Sequence, residues 1–379
     1  METMKPPKIA LVHDYLREYG GGERVLEALN EIWHDAPIYT STFEHEIMEK
    51  YNFKVPGGLI HTTFLQNLPF RYKLRKHYFF LYPHAFKSLK INSDIIFSTC
   101  SYASKFAKPK EGGIHISYIH SVPKFLWGYD TETRDLEVLP FDKYFKPIYR
   151  KILPLVKEKL RKMDYDAASK LDYVIANSKI TKERIKKHYN RDSVVIYPPA
   201  DINEFKGEAT DKGFFLILSR LSKFKKLEIA IEAFNKLKKP LKIAGDGQET
   251  ANLKRLAHSN VEFLGGVDRK KIPELLRGCT ALIFPTEEDF GIVPVEAMAA
   301  GKPVIAYRGG GALETVVEGK TGEFFDEQNA DSLISVLKNF DPKRYNVADC
   351  VEQASQFSKE EFKVNIKNFV EKIWNSNEG

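Results

Sequence analysis

Glu288 and Glu296 bracket the segment Phe290-Gly291-Ile292, and the residues around them predict a site for a phosphorylated ligand. Residues 281–284 read as a strand and residues 294–300 as a short helix, with Pro294 suited to its first position and Gly301 to the left-handed residue past its end. The loop therefore feeds a helix amino end, where free N–H groups and the positive end of the helix dipole attract anions, phosphate above all. Gly291 removes a side chain where a ligand would need close approach to the backbone. Glu296 falls in the first helical turn and Glu288 in the preceding loop, so a diphosphate on the loop amides would bring each within reach of an attached, hydroxyl-bearing ring. The plain alternative is that Glu296 only complements the dipole and Glu288 is solvated.

Three further clusters carry chemistry. Ser219-Arg220-Leu221, with Lys225 just beyond, follows an apolar run at 214–218. Cations at the carboxyl end of a strand would form charge-assisted bonds to a departing diphosphate; alternatively, with Lys223 and Lys226 beside them, they form a solvated basic face. Tyr19-Gly20-Gly21-Gly22-Glu23-Arg24 lies between the first strand and the first helix, as either a ligand-approach loop or a tight turn. It is no dinucleotide fingerprint, because Val25 stands where that pattern needs glycine. His120 ends the run 114–119 and opens His120-Ser121-Val122-Pro123-Lys124-Phe125-Leu126-Trp127. Gly319-Lys320-Thr321 mimics the end of a phosphate loop but lacks its first glycine, since Glu314 holds that position.

Elements that position these groups alternate along the chain. Residues 9–12, 95–98, 114–119, 173–176 and 194–197 read as one series of strands, and 214–218, 241–244, 261–264, 281–284 and 304–307 as a second. Helical patterns at 22–33, 226–238 and 268–278 lie between them, and another closes the chain at 358–374. Runs apolar on both sides suit parallel strands covered on both faces. Two such series in 379 residues predict two doubly wound α/β domains, with the break in the polar, proline-bearing stretch 198–212.

Hydrophobic residues at 43% and charged residues at 29% give a globular balance, and the formal charge of +7 suits an anionic ligand, an anionic membrane surface or nucleic acid. No recognised DNA- or RNA-binding motif supports the last. Cys100, Cys279 and Cys350 are spaced neither as metal ligands nor as a redox pair, which predicts a reducing, cytoplasmic setting. The polar start and the short first apolar run predict neither a signal peptide nor a membrane span. Two basic stretches interleaved with aromatic residues, 71–90 and 143–162, read either as a peripheral membrane surface or as solvated helix faces.

Several of these segments together resemble glycosyltransferase family 4. Phe284-Pro285-Thr286-Glu287-Glu288-Asp289-Phe290-Gly291 followed by Pro294-Val295-Glu296-Ala297, then Gly309-Gly310-Gly311 and Glu318-Gly319-Lys320-Thr321-Gly322, are similar to that family's signature. So are Arg220-x₄-Lys225 and Gly20-Gly21-Gly22-Glu23-Arg24, although Lys226 stands where glycine is usual. Tyr118-Ile119-His120-Ser121-Val122-Pro123 through Trp127 resembles the bacterial GDP-mannose-dependent mannosyltransferase branch that builds O-antigen and other surface polysaccharides, with Lys124 where arginine is usual.

The resemblance implies a GT-B fold: two Rossmann-like domains facing across a cleft, an acceptor domain at 1–205, a nucleotide-sugar domain at 206–355, and a terminal helix at 356–379 returning to the first. It implies metal-independent retaining transfer of a hexose, with no cofactor beyond the nucleotide-diphosphate sugar itself. Glu288 and His120 would face the transferred sugar. Gly21, Gly22, Arg220, Lys225, Gly245, Gly247, Phe290, Gly291, Ile292 and Glu296 would hold the donor, with Glu296 on the ribose. Lys124 and Trp127 would meet the acceptor, a lipid-linked or polysaccharide glycan. A UDP- or dTDP-sugar enzyme, a phosphorylase or epimerase, and a non-catalytic glycan-binding protein are the other readings.

Overall fold

A computed structural model of the chain describes residues 6–51, 53, 55, 59–69, 78–128 and 142–377, with side chains left out at 142–153. It divides into two compact units: residues 1–197 with 362–379, and residues 198–361.

The first unit holds a parallel sheet of β1 (Ile9–His13), β2 (Ile38–Thr40), β3 (Ile60–Thr62), β4 (Ile95–Cys100), β5 (Ile114–Ile119), β6 (Tyr173–Ala176) and β7 (Val194–Val195), in the order β3-β2-β1-β4-β5-β6-β7. All of β1 and β4 is buried because the sheet is covered on both faces. Alternate side chains divide between two cores. Ile9, Leu11, Ile95 and Phe97 join the helix Gly21–Ile32 on one face, whereas Ala10, Val12 and Ile96 join the helix Tyr82–Lys87 on the other. The terminal helix Lys359–Asn377 contributes Phe362, Ile366, Val370 and Ile373 to the first of these cores, an apolar stripe at helical spacing.

The second unit holds β8 (Phe215–Leu218), β9 (Leu241–Ala244), β10 (Val261–Gly265), β11 (Leu282–Phe284), β12 (Val304–Tyr307) and β13 (Gly322–Phe325), in the order β10-β9-β8-β11-β12-β13. Its strands are also parallel.

Two expectations need correction. The domain border lies between 197 and 198 rather than after 205, because the short helix Ile202–Phe205 buries Ile202 and Phe205 within the second unit. Residues 356–361 also belong to the second unit at first: Ala200 N–H donates to the Phe357 carbonyl and Lys359 N–H to that of Ala200. The sequence also hides β2, β3 and β13. The first two are only three residues long. β13 opens on Gly322, where an added Cβ would lie 2.0 Å from the Val304 carbonyl oxygen.

Lys226 explains why glycine is usual at its position. It caps the helix Leu227–Leu237 in the left-handed region, at φ 55°, ψ 34°. A side chain there costs roughly 1–2 kcal/mol, partly offset by the greater unfolded freedom of glycine. Lys226→Gly is therefore expected to stabilise the protein by about 0.5–1 kcal/mol, read as a higher urea midpoint; a lower midpoint would contradict the assignment.

Candidate functional site

In the second unit the chain runs outward from β8 through β9 to β10, then crosses back and runs outward through β11, β12 and β13. Connections diverge at such a reversal and leave a crevice beyond the strand carboxyl ends, where open α/β sheets bind ligands. Lys225, after β8, and Glu288, after β11, meet there: Lys225 Nζ pairs with Glu288 Oε1 in a part-buried setting. Thr286 Oγ1 also donates to the Phe224 carbonyl at 3.2 Å. Of the two neighbouring lysines, it is Lys225 that reaches the carboxylate, whereas Lys226 takes up the turn.

Glycines lock the surrounding loops together. Carbons added at Gly245 and Gly247 would lie 1.8 Å from the Ser219 oxygen and 2.1 Å from the Leu221 oxygen. The turn 245–247 thus braces the turn that carries the exposed Arg220, aided by Leu221 N–H donating to the Asp246 carbonyl at 2.9 Å. On the other side, carbons at Gly310 and Gly311 would each lie 2.2 Å from the backbone oxygens of Glu288 and Phe290. Gly311 N–H donates to the Glu288 carbonyl at 2.9 Å. Four connections therefore fix one rim.

The helix after this loop starts at Ile292 and runs to Ala299, not from Pro294 as its proline suggests. Proline is tolerated at the third position because first-turn N–H groups lack intrahelical acceptors. Gly291 caps the helix at φ 81°, with Phe290 buried and Ile292 half-buried beside it. Glu296 consequently sits beyond the first turn and is 3% exposed.

In the first unit the reversal falls between β1 and β4. Asp14, just past β1, accepts four backbone N–H groups, from Ser101 and Tyr102 on Oδ2 and from Ala103 and Ser104 on Oδ1, at 2.6–2.8 Å. Burial opposes its charge, but His13 and these N–H groups outweigh burial and hold its carboxyl below the usual range. His13 Nδ1 lies 2.5 Å from Thr99 Oγ1, and its Nε2 lies 3.5 Å from Glu23 Oε1. Glu23 Oε2 accepts Gly20 N–H at 2.8 Å, so the glycine segment is tied down and Gly21 and Gly22 already belong to the helix. A carbon added at Gly22 would be 3.4 Å from His13 Cε1 and 3.6 Å from His120 Nε2. That Nε2 is buried without a hydrogen-bond partner.

Burial, then the proximity of His13, pushes the His120 imidazole down to about 4, so it is neutral at neutral pH. Burial pushes His115 down to about 3; its Nε2 contacts Ser98 Oγ at 2.9 Å. Both rings take up protons more readily once unfolded, so the unfolded state binds more protons below about 6.5 and stability falls as pH drops from there toward 4. Each ring contributes a slope of up to about 1.4 kcal/mol per pH unit. Urea unfolding from pH 7 to 4.5 should show this loss, and His115→Gln should flatten it.

Lys124 and Trp127 stand on the four-residue helix Lys124–Trp127. The Trp127 indole N–H donates to Asp164 Oδ2 at 2.9 Å, and its ring packs on His188 and Tyr189. The indole N–H is thus engaged within the unit, and the ring is half-buried. Asp164 also accepts Tyr189 O–H at 2.6 Å and forms a buried ion pair with Lys105 at 2.7 Å. His13, Asp14, Thr99, Lys105 and Asp164 were not singled out from sequence. The signal for the first two was the abrupt His-Asp end of the first apolar run. Among the described residues no group of three His, Cys, Asp or Glu side chains is placed to hold a metal, and no helix is long and apolar enough to cross a membrane. Of the basic stretch 71–90, residues 71–77 lie outside the described residues; Phe80 is exposed.

Residues 200–356 match the family described as glycosyl transferases group 1. The chain is 31% identical over 202 residues to alpha-1,3/1,6-mannosyltransferase ALG2 of Dictyostelium discoideum, covering 40% of this chain and 48% of that one. It is 27% identical over 227 residues to a GDP-mannose-dependent alpha-(1-6)-phosphatidylinositol monomannoside mannosyltransferase of Mycolicibacterium smegmatis, covering 51% and 58%. The chain thus spans about half the length of these curated relatives. HepE of Anabaena, solved with UDP and glucose, superposes with a TM-score of 0.70 at 21% identity, covering 97% of this chain and 100% of that one. The fold is that of the GT-B class, two Rossmann-like α/β units.

Proposed function

We propose that the chain is a glycosyltransferase of the group 1, family 4 kind: a metal-independent retaining hexosyltransferase, moving mannose from GDP-mannose to a lipid-linked or polysaccharide acceptor. The observation that carries the reading is the rim of the second unit. Lys225 and Glu288 face each other at the strand reversal, beside Gly291 at a helix amino end. In this reading the diphosphate takes Lys225, Arg220 and the loop amides, where cations and N–H groups stabilise its departing charge. Lys225 thereby exchanges its pairing with Glu288 for phosphate, freeing Glu288 to accept sugar hydroxyls. Glu296 holds the ribose, and neutral His120 meets the sugar.

The bond from the anomeric carbon to the phosphate oxygen breaks through an oxocarbenium-like state. A bond to the acceptor oxygen forms on the same face, and the acceptor proton passes to the departing phosphate oxygen. Diphosphate charge is met by Arg220, Lys225 and amides, with no metal or cofactor required. Relatives named as mannosyltransferases support mannose, one of them by its name GDP-mannose and a lipid acceptor. The basic, aromatic stretch around Phe80 supports peripheral attachment at the inner face of the cytoplasmic membrane.

UDP-sugar is the second reading, favoured by HepE having been solved with UDP and glucose. Titration of the purified protein with GDP, UDP, dTDP and ADP separates the two. A GDP preference is expected. Preference for another nucleotide would replace the donor, and no binding of any would remove the transferase reading.

A further inference from the structure

Two segments carry the chain between the units, one near residue 198 and the other near residue 361, and each is held at both ends. In the first unit Tyr118 holds the two at once. Its O–H donates to the Ile196 carbonyl at 2.8 Å, and its ring stands edge-on to that of Phe362 with centroids 5.8 Å apart. In the second unit the segments pair with each other. Ala200 N–H donates to the Phe357 carbonyl at 2.9 Å and Lys359 N–H to the Ala200 carbonyl at 3.1 Å, while Lys359 Nζ lies 2.8 Å from Asp201 Oδ1. Between these holds lie only residues 197–199 on one segment and 360–361 on the other. Pro198 and Pro199 are fixed in φ, so little slack remains.

The second hold touches the Gly291 loop. The Phe290 ring packs edge-on against that of Phe357, with centroids 5.6 Å apart and planes at 61°. The two residues are 4% and 3% exposed. With its ring buried there, Phe290 can offer a ligand only its backbone; the ring serves the contact with Phe357. The helix Ile292–Ala299, which the loop feeds, rests on the helices Ile202–Phe205 and Val347–Ser355, which flank the paired segments. An aromatic pair of this kind contributes about 0.5–1.5 kcal/mol beyond the area it buries. A loop that fixes the Phe290 ring therefore steadies the Phe357 peptide, and with it the carbonyl that holds Ala200.

We propose that Phe357 is a positioning residue of the donor site: through Phe290 it ties the Gly291 loop to the paired segments, so that a nucleotide diphosphate bound at the loop tightens their pairing. Linkage makes the effect reciprocal, since segments held together also hold the loop in its binding form. The inference rests on the proposed place of the diphosphate at that loop.

Hydrogen exchange of the whole chain tests it, read at the Ala200 and Lys359 amides and, for the stability of the second unit as a whole, at β9. Phe290→Leu alters the loop and no residue of either segment. Without nucleotide it should speed exchange at Ala200 and Lys359 about 10-fold, within the usual range of coupling between sites, and more than at β9. In the wild type, GDP should slow the same two amides by a similar factor. Phe357→Leu should still bind GDP, seen as slower exchange in the Gly291 loop, but lose the slowing at Ala200 and Lys359. Equal speeding at β9 and at the two amides in Phe290→Leu would reduce the contact to ordinary packing and overturn the proposal. So would wild-type amides that ignore bound GDP, or slowing that survives in Phe357→Leu. If the wild type binds no nucleotide, the transferase reading fails on its own, and Phe290→Leu without nucleotide still decides whether loop and segments are coupled.

Discussion

Glu288→Gln is expected to lower sugar transfer by about 10²–10³-fold while leaving nucleotide diphosphate affinity nearly unchanged. The side chain keeps its size and one acceptor oxygen but loses the charge that faces Lys225 across the strand reversal. That charge matters most when positive character builds at the anomeric carbon, which is why the loss falls on turnover rather than on nucleotide binding. Lys225→Ala should act the other way round, weakening the diphosphate first. Because the two groups touch, the double variant should cost less than the sum of the single ones. Steady-state kinetics together with GDP titration reads all of this; a Glu288→Gln enzyme turning over like the wild type would remove Glu288 from the chemistry.

The second large effect is expected at Gly310. It sits at φ 61°, and an added Cβ would lie 2.2 Å from the Glu288 oxygen and 3.1 Å from its nitrogen. Gly310→Ala must therefore distort its own backbone and displace the peptide that carries Glu288, at a combined cost of about 3 kcal/mol or more. Gly319 is the comparison: its φ is 73°, but nothing lies within 4 Å of an added carbon. Gly319→Ala should cost only the backbone term, about 1 kcal/mol. Urea unfolding of both variants reads the difference, and Gly310→Ala should also lose GDP affinity. Equal costs would mean that the glycine turn does not brace the Glu288 loop.

The strands most legible in the sequence are those with unbroken apolar runs, such as β8, β11 and β12, because burial on both faces leaves few polar positions. Those that escaped notice are short or begin on a glycine that the neighbouring strand demands, as Gly322 does. In the second unit the rim was legible because its glycines and charges stand within a few residues of strand ends. The first unit was less so. Asp14 finds its four partners at residues 101–104 and His13 finds Thr99, contacts made across strands far apart in the chain. The Trp127 N–H likewise finds Asp164, a partner that no local pattern reveals.

The Lys105–Asp164 pair constrains how this sequence can evolve. With both side chains almost wholly enclosed, losing either one strands a charge and costs about 3–5 kcal/mol, a large share of the 5–15 kcal/mol that holds a typical protein together. Exchange of an isolated pair for apolar residues of similar volume is often neutral or favourable, but here it would also take the acceptor from the Trp127 N–H and the Tyr189 hydroxyl, so these must change with it. Single steps at either position therefore cross a valley of poorly folded intermediates. Descendants of this chain should keep both residues or replace both, and sequences carrying only one of the two should be rare.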